Sequence, residues 1–330
     1  MLESIPVSCF RPQIVVNPRY RGYPCDPRAF FNALDFPEDF RENYYLKVPC
    51  CTCFLCRKKR GSAWRVRLFE ECRKYTPIVV NGESVLPVVF VTFTYAEEPK
   101  SEMRSVLADD IRRWRDRWRK RYGSSPRYFA TSDKGHKFGR VHFHLLLFDP
   151  RRRDGSSISI DDLNDVNFCW KHGFAMEPSY LRSERGITYV TGYVSGSNLQ
   201  KEALKHGEPI CKEAKEYYPY VFVSNGLGNT DIRESPNFVF DTHSNRYFYR
   251  IKGFDYALPA YYRYKLFDWW ERWHQNVIYK YEYQHYISTA SSLWFSLHSA
   301  RLSYQQVCDM YKDYYMQFDD DNHKYLRLDV

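Results

Sequence analysis

No stretch of this 330-residue chain approaches the ~18 consecutive apolar residues that a membrane-crossing helix needs. No membrane partner is therefore expected. The opening residues, MLESIPVSCFRPQIVV, lack a basic start followed by an apolar block, which speaks against a secretory signal. No internal repeat is found. A cytosolic setting is the expectation, and cytosolic chains rarely keep structural disulfides. The ten cysteines therefore need another explanation. Wholesale disorder is excluded as well, because 44% hydrophobic residues in a chain of this length suffice for a substantial core.

The net charge is +9, and its distribution says more than its sum. RRWRDRWRKR (112–121) and RRR (151–153) concentrate the positive charge. With 29 Tyr and 8 Trp, aromatic residues reach 18%. Cations pair with phosphates and rings stack on unpaired bases, so this mixture suits nucleic acid. Arg112, Arg113, Arg115, Arg117, Arg119, Lys120, Arg121 and Arg140 are the candidate DNA contacts. Four cysteines fall in CCTCFLC (50–56). Cys50, Cys53 and Cys56 form C-x2-C-x2-C, which lets three thiolates converge on a structural zinc. The fourth ligand is open between Cys51, Cys72 and a distant residue, since the second CxxC of a zinc ribbon is missing.

Along the chain, residues 1–45 lack clear periodicity and form an irregular arm. RKKRGSAWRVRLFEECRKY (57–75) has the pattern of a basic amphipathic helix, with Trp64, Leu68 and Cys72 on one stripe. Asn81-Gly82 marks a turn. LPVVFVTFTY (86–95) is a β-branched and aromatic strand. Residues 107–122 form a second helix, with Ile111, Trp114, Trp118 and Tyr122 near one stripe. SPRYFATSDKG (125–135) and GRVHFHLLLFDP (139–150) pair as a hairpin. A short helix is expected over 161–170, and Tyr- and Trp-rich helical segments beyond 205. The fold class is α+β, a central antiparallel sheet with helices on one face and a helical C-terminal extension. The expected divisions are 1–45, 46–205 and 206–330.

The hairpin holds the chemistry. Along a strand, side chains alternate, so Val141, Phe143, Leu145 and Leu147 share one face and His142 and His144 the other. The two imidazoles stand about 6–7 Å apart along the strand. Asp133 lies nine residues before His142, across the hairpin. Two histidines and a carboxylate make a facial set with open positions, suited to a divalent ion that also holds a phosphodiester. In ITYVTGYV, Tyr189 and Tyr193 recur four apart, and a tyrosine hydroxyl is a sensible nucleophile toward phosphorus. That spacing fits one face of a helix or of a strand, and local propensity leaves both open.

Six segments, in order across roughly residues 45–270, resemble the replication initiation proteins of the gokushovirus type, from small single-stranded DNA phages of the microvirus family. VPCCTCFLCRKKRGSAWRVR resembles the family's cysteine box and the basic helix after it, and VVFVTFTYAEE its first replication motif. FATSDKGHKFGRVHFHLLLF resembles the HUH motif with its acidic turn, and ITYVTGYV the tyrosine motif. VSNGLGNTD and ALPAYYRYKLF resemble its glycine-rich and Pro-x-Tyr-Tyr segments. The resemblance implies a HUH endonuclease, a Mg2+- or Mn2+-dependent nickase that starts rolling-circle replication in the cytoplasm of a bacterial host. It implies His142 and His144 as metal ligands, and Tyr189 and Tyr193 as paired nucleophiles on a helix facing the sheet. Asp133 stands where the family usually has Glu, with His136 as the alternative ligand. Origin DNA and the host replication machinery are the implied partners. One position departs from the pattern: the basic residue usual before the second tyrosine is Gly192 here, and lysines come only at Lys201 and Lys205. The rival expectation is a single-stranded DNA-binding protein that does not cut.

Overall fold

The structure, a computed structural model, describes residues 13–16, 45–160, 162, 169–176, 178–196, 198, 211–242, 246–268 and 270–272. Most of the expected N-terminal arm, most of the 161–170 helix, Lys201, Lys205 and the segments after 272 lie outside these residues. The described residues fall into two compact units, divided between Cys56 and Arg57. In the first, β1 (Gln13–Val16) pairs antiparallel with β2 (Tyr45–Val48), and the cysteine loop follows. Helix α1 (Phe54–Cys72) begins at that loop and continues into the second unit.

The second unit opens with a hairpin of β3 (Ile78–Val80) and β4 (Glu83–Val85). It turns at Asn81 and Gly82, both at positive φ (50° and 80°), the backbone that two-residue hairpin turns prefer. Next come β5 (Val88–Tyr95), helix α2 (Arg104–Tyr122), β6 (Tyr128–Lys134) and β7 (Val141–Phe148). β8 (Gly173–Ala175), β9 (Ser179–Tyr180) and helix α3 (Arg185–Ser195) follow. After helix α4 (Lys212–Glu216), β10 (Val221–Val223) returns to the central sheet. That sheet is antiparallel throughout, ordered β10-β6-β7-β5-β8, with β9 also on β5.

The alternation along β7 separates two cores. Val141, Phe143, Leu145 and Leu147 join Val89, Val91, Phe93 and Tyr95 of β5 beneath α2, whose Leu107, Ile111, Trp114, Trp118 and Tyr122 form its buried stripe. Leu146 and Phe148, on the histidine face, pack with Val66 and Leu68 of α1 and with Ile187, Val190 and Val194 of α3. Helices therefore cover both faces, where the sequence pattern was read as placing them on one. A β7 with apolar residues at both parities needs a cover on each side.

Helix α3 settles the open question about ITYVTGYV. Ile187, Val190 and Val194 are all fully buried in one core. Their spacing of three and four puts them on one helical stripe, whereas in a strand 187 and 190 would face opposite ways. Burial of that stripe outweighs the weak helix propensity of Ile, Thr, Val and Gly. The helix stops at Gly196, at φ 78°, whose N–H donates to Gly192 and Tyr193 carbonyls.

Beyond residue 205 the described chain is less helical than expected. Besides β10 it forms a three-stranded antiparallel sheet of β11 (Phe238–Asp241), β12 (Arg246–Ile251) and β13 (Phe254–Ala257), then helix α5 (Ala260–Leu266). A buried polar network ties this part to α1. The Glu71 carboxylate accepts from Arg127, from Lys74 at 2.8 Å, from Tyr75 at 2.8 Å and from the Gly228 N–H at 2.7 Å. Burial alone would raise its pKa, but these donors outweigh that and hold it at about 2. The glycine-rich VSNGLGNTD segment is thus a docking loop. A Cβ at Gly228, φ 70°, would fall 2.6 Å from the Arg67 carbonyl oxygen. Among the described residues, no helix is long and apolar enough to cross a membrane.

Candidate metal and nucleophile site

Strand register assembles the first half of the site. On β7, His142 is opposite Thr94 of β5 and Asp133 of β6, and His144 is opposite Thr92 and Thr131. Directly paired residues point to the same face, so two polar rows cross the sheet side by side. The His142 and His144 Nε2 atoms lie 3.0 Å apart, and Asp133 Oδ2 lies 4.0 Å from His142 Nε2. One ligand atom from each of the three residues falls within 4.8 Å of the others.

The surroundings fix how the rings point. His142 Nδ1 lies 3.2 Å from the Arg140 carbonyl oxygen. A carbonyl only accepts, so Nδ1 carries the proton and the Nε2 lone pair faces His144. His144 Nδ1 lies 3.2 Å from the Thr92 hydroxyl, which leaves its Nε2 aimed at the same point. Burial, with the neighbouring His142 second, holds His144 well below the usual imidazole pKa and therefore neutral. Two neutral imidazole nitrogens and a carboxylate fit a divalent cation. Adjacent ligands of an octahedral ion at 2.0–2.1 Å stand about 3 Å apart, the separation of the two nitrogens. His136 sits in the turn after β6, where its carbonyl accepts from Cys211 N at 2.8 Å, outside that ligand group.

Helix α3 supplies the second half. The Tyr193 ring stacks on His144 with centroids 3.6 Å apart and 18° between planes. Tyr189 lies one turn earlier, its ring 5.1 Å from Tyr193, 6.4 Å from His144 and 6.0 Å from Phe90. The Tyr193 hydroxyl donates to the Tyr189 hydroxyl oxygen. Exposure separates the pair: Tyr189 is 44% exposed and Tyr193 is 1%. Gly192 admits the side chain of Asn198, whose amide donates to the Tyr189 carbonyl; a Cβ at 192 would fall 2.2 Å from Asn198 Oδ1.

The cations are arranged otherwise than the run 112–121 suggests. Helix α2 lies on the face opposite the histidines, so Arg112, Arg113, Arg115, Arg117, Arg119, Lys120 and Arg121 are separated from the site by the sheet. Arg112 pairs with Asp109 at 3.0 Å, Arg115 with Asp116 at 3.1 Å, and Arg117 donates to the Cys169 carbonyl at 2.7 Å. Arg140 adjoins the histidine strand and is 3.7 Å from Glu98. On the histidine face the cations belong to α1. Arg65 reaches Thr191 of α3 at 3.3 Å and Tyr256 at 2.8 Å, and Arg57 borders Gly196. Sequence reading missed Thr92, Asn198 and these arginines. Thr92 had a signal, since Thr92 and Thr94 alternate with apolar residues along β5.

In the first unit, Cys50, Cys53 and Cys56 bring their sulfurs within 4.8 Å of one another. Cys50 Sγ accepts from Cys53 N at 3.3 Å. The Cys51 thiol instead donates to the Pro49 carbonyl at 3.5 Å. Cys72 ends α1 sixteen residues after Cys56, about 24 Å along the axis, so it does not complete the set.

Residues 88–198 match the family described as replication-associated protein ORF2. The matched span begins with β5 and ends at Asn198, so it contains Asp133, both histidines and both tyrosines. The match supports a replication initiator, with DNA as its partner. No curated protein and no solved structure matches the chain.

Proposed function

We propose that the protein starts rolling-circle replication by nicking single-stranded origin DNA, as a HUH endonuclease of the gokushovirus type acting in the cytoplasm of a bacterial host. The observation that carries this reading is the pair of Nε2 atoms 3.0 Å apart beside Asp133, faced by two tyrosines of α3. Asp133, His142 and His144 hold a Mg2+ or Mn2+ ion, which when bound polarises a phosphodiester oxygen. Thr92 and the Arg140 carbonyl keep the imidazoles aimed at that ion.

Tyr189, the exposed member of the pair, makes the first attack. Its hydroxyl oxygen forms a bond to phosphorus, the bond to the 3′ oxygen breaks, and that oxygen leaves as a hydroxyl. The 5′ phosphate stays on the tyrosine, which conserves the energy of the linkage for rejoining. Tyr193 is held against His144 and takes the second attack only after its ring leaves the stack.

The test is an adduct assay with single-stranded oligonucleotides tiled across the replicon, in Mn2+ and in chelator. A covalent 5′ adduct that needs the metal and is lost in Tyr189→Phe is expected. An adduct that persists in Tyr189→Phe/Tyr193→Phe overturns the nucleophiles. Oligonucleotide binding equal in chelator, with no cutting, establishes a DNA-binding protein instead.

A further inference from the structure

The edge strand β8 carries two large apolar side chains that neither core uses. Phe174 is 67% exposed and Met176, just past the strand, is 63% exposed. Their placement is not accidental to the site. Phe174 is opposite Thr94, which is opposite His142. Phe174 therefore stands on the histidine face, two strands from His142, about 10 Å away. Met176 N donates to the Thr92 carbonyl at 2.9 Å, so the ladder continues and Met176 aligns with the row of Thr92 and His144. Ala175, between them, packs into the opposite core.

The backbone alone seats this strand. Thr94 Oγ1 donates to the Phe174 carbonyl at 3.1 Å, and a Cβ at Gly173 would fall 2.3 Å from the Thr94 carbonyl oxygen. Nothing in the packing requires a phenyl ring and a thioether to point outward beside the histidine rows.

We propose that Phe174 and Met176 form a stacking shelf for an unpaired base of the DNA strand whose phosphate lies at Asp133, His142 and His144; this rests on the nuclease reading above. A base offers a π-face that stacks on an aromatic ring whatever its identity, and only an unpaired strand exposes that face. The 10 Å offset spans about three nucleotides at stacked spacing, fewer in an extended strand. The shelf thereby favours single-stranded over duplex substrate, and it sets which side of the cut the protein grips.

The shelf is tested in chelator, where binding is read without cutting, using oligo(dT) that carries one central 2-aminopurine. Binding should quench the fluorophore, and Phe174→Ala/Met176→Ala should remove most of that quench. Affinity should fall about 5- to 150-fold, with Phe174→Trp restoring both. Equal quench and affinity in the alanine variant overturn the shelf. A change in sedimentation with DNA binding intact overturns it too, in favour of pairing between copies along β8. The metal-dependent adduct assay runs in parallel. Wild-type protein that stacks the base through Phe174 but never forms an adduct keeps the shelf and defeats the nuclease reading.

Discussion

Gly192 offers a sharp test of how the tyrosine helix is built, because two ordinary effects oppose each other there. In an exposed helix, Gly→Ala stabilises by about 0.8–1.0 kcal/mol. Here the new Cβ would lie 2.2 Å from Asn198 Oδ1 and 2.7 Å from its carboxamide carbon, so Asn198 must leave. The displaced amide gives up its bond to the Tyr189 carbonyl in a site where Asn198 is 4% exposed. A buried polar group left unmatched costs about 1–3 kcal/mol, and overpacking adds about 1–3. The steric and polar terms win, and Gly192→Ala should destabilise by about 2 kcal/mol. Asn198→Ala alone should cost about 1 kcal/mol, the net worth of a hydrogen bond. In Gly192→Ala/Asn198→Ala the clash is gone, and the helix gain offsets the lost bond to within about 1 kcal/mol. The two single losses, about 3 kcal/mol together, thus shrink threefold or more in the double variant. Urea unfolding of the four proteins measures the cycle. A stabilised Gly192→Ala single variant would refute the reasoning.

Thr92→Val keeps the shape of the side chain but removes the hydroxyl that faces His144 Nδ1, so Mn2+ affinity by calorimetry should fall 10- to 100-fold. The Glu71 carboxyl is held at about 2 against an ordinary 4.5, so its ionised form favours the folded state. Its contribution, about 3 kcal/mol, is complete above about pH 5.5 and fades as pH falls toward 2. The stability gap between wild type and Glu71→Gln, read by urea unfolding, should therefore shrink by more than half between pH 7 and pH 3. Phe substitutions should separate the tyrosines: Tyr189→Phe abolishes the first adduct, whereas Tyr193→Phe still forms it, as a gel-shift time course would show.

Much of the sheet was legible because parity is a local property. Once GRVHFHLLLFDP is a strand, the histidines must share a face away from Val141, Phe143, Leu145 and Leu147, and the two cores divide along that line. Asp133 was legible for a similar reason, since a short hairpin fixes which residues stand opposite one another. The tyrosine segment was harder. Its four-residue spacing suits both periodicities, and burial of Ile187, Val190 and Val194 against the sheet chose the helix. The basic run 112–121 misled most. Its charge is plain in one dimension, but the stripe of Trp114 and Trp118 directs α2 onto the face away from the histidines.

By itself, then, the sequence determined the strand that carries the histidines, the face they share, the acidic partner across the hairpin and the basic, aromatic character of the surface. These follow from alternation, turn chemistry and side-chain type, which act over a few residues. Tertiary structure decided what lies over that face. It set Tyr193 against His144 and left Tyr189 open, put Thr92 behind the imidazole and Asn198 in the gap of Gly192. It placed the α1 arginines, rather than those of α2, beside the tyrosine helix. Such contacts join residues tens of positions apart, and only the packing of two helices and two strands around one core specifies them.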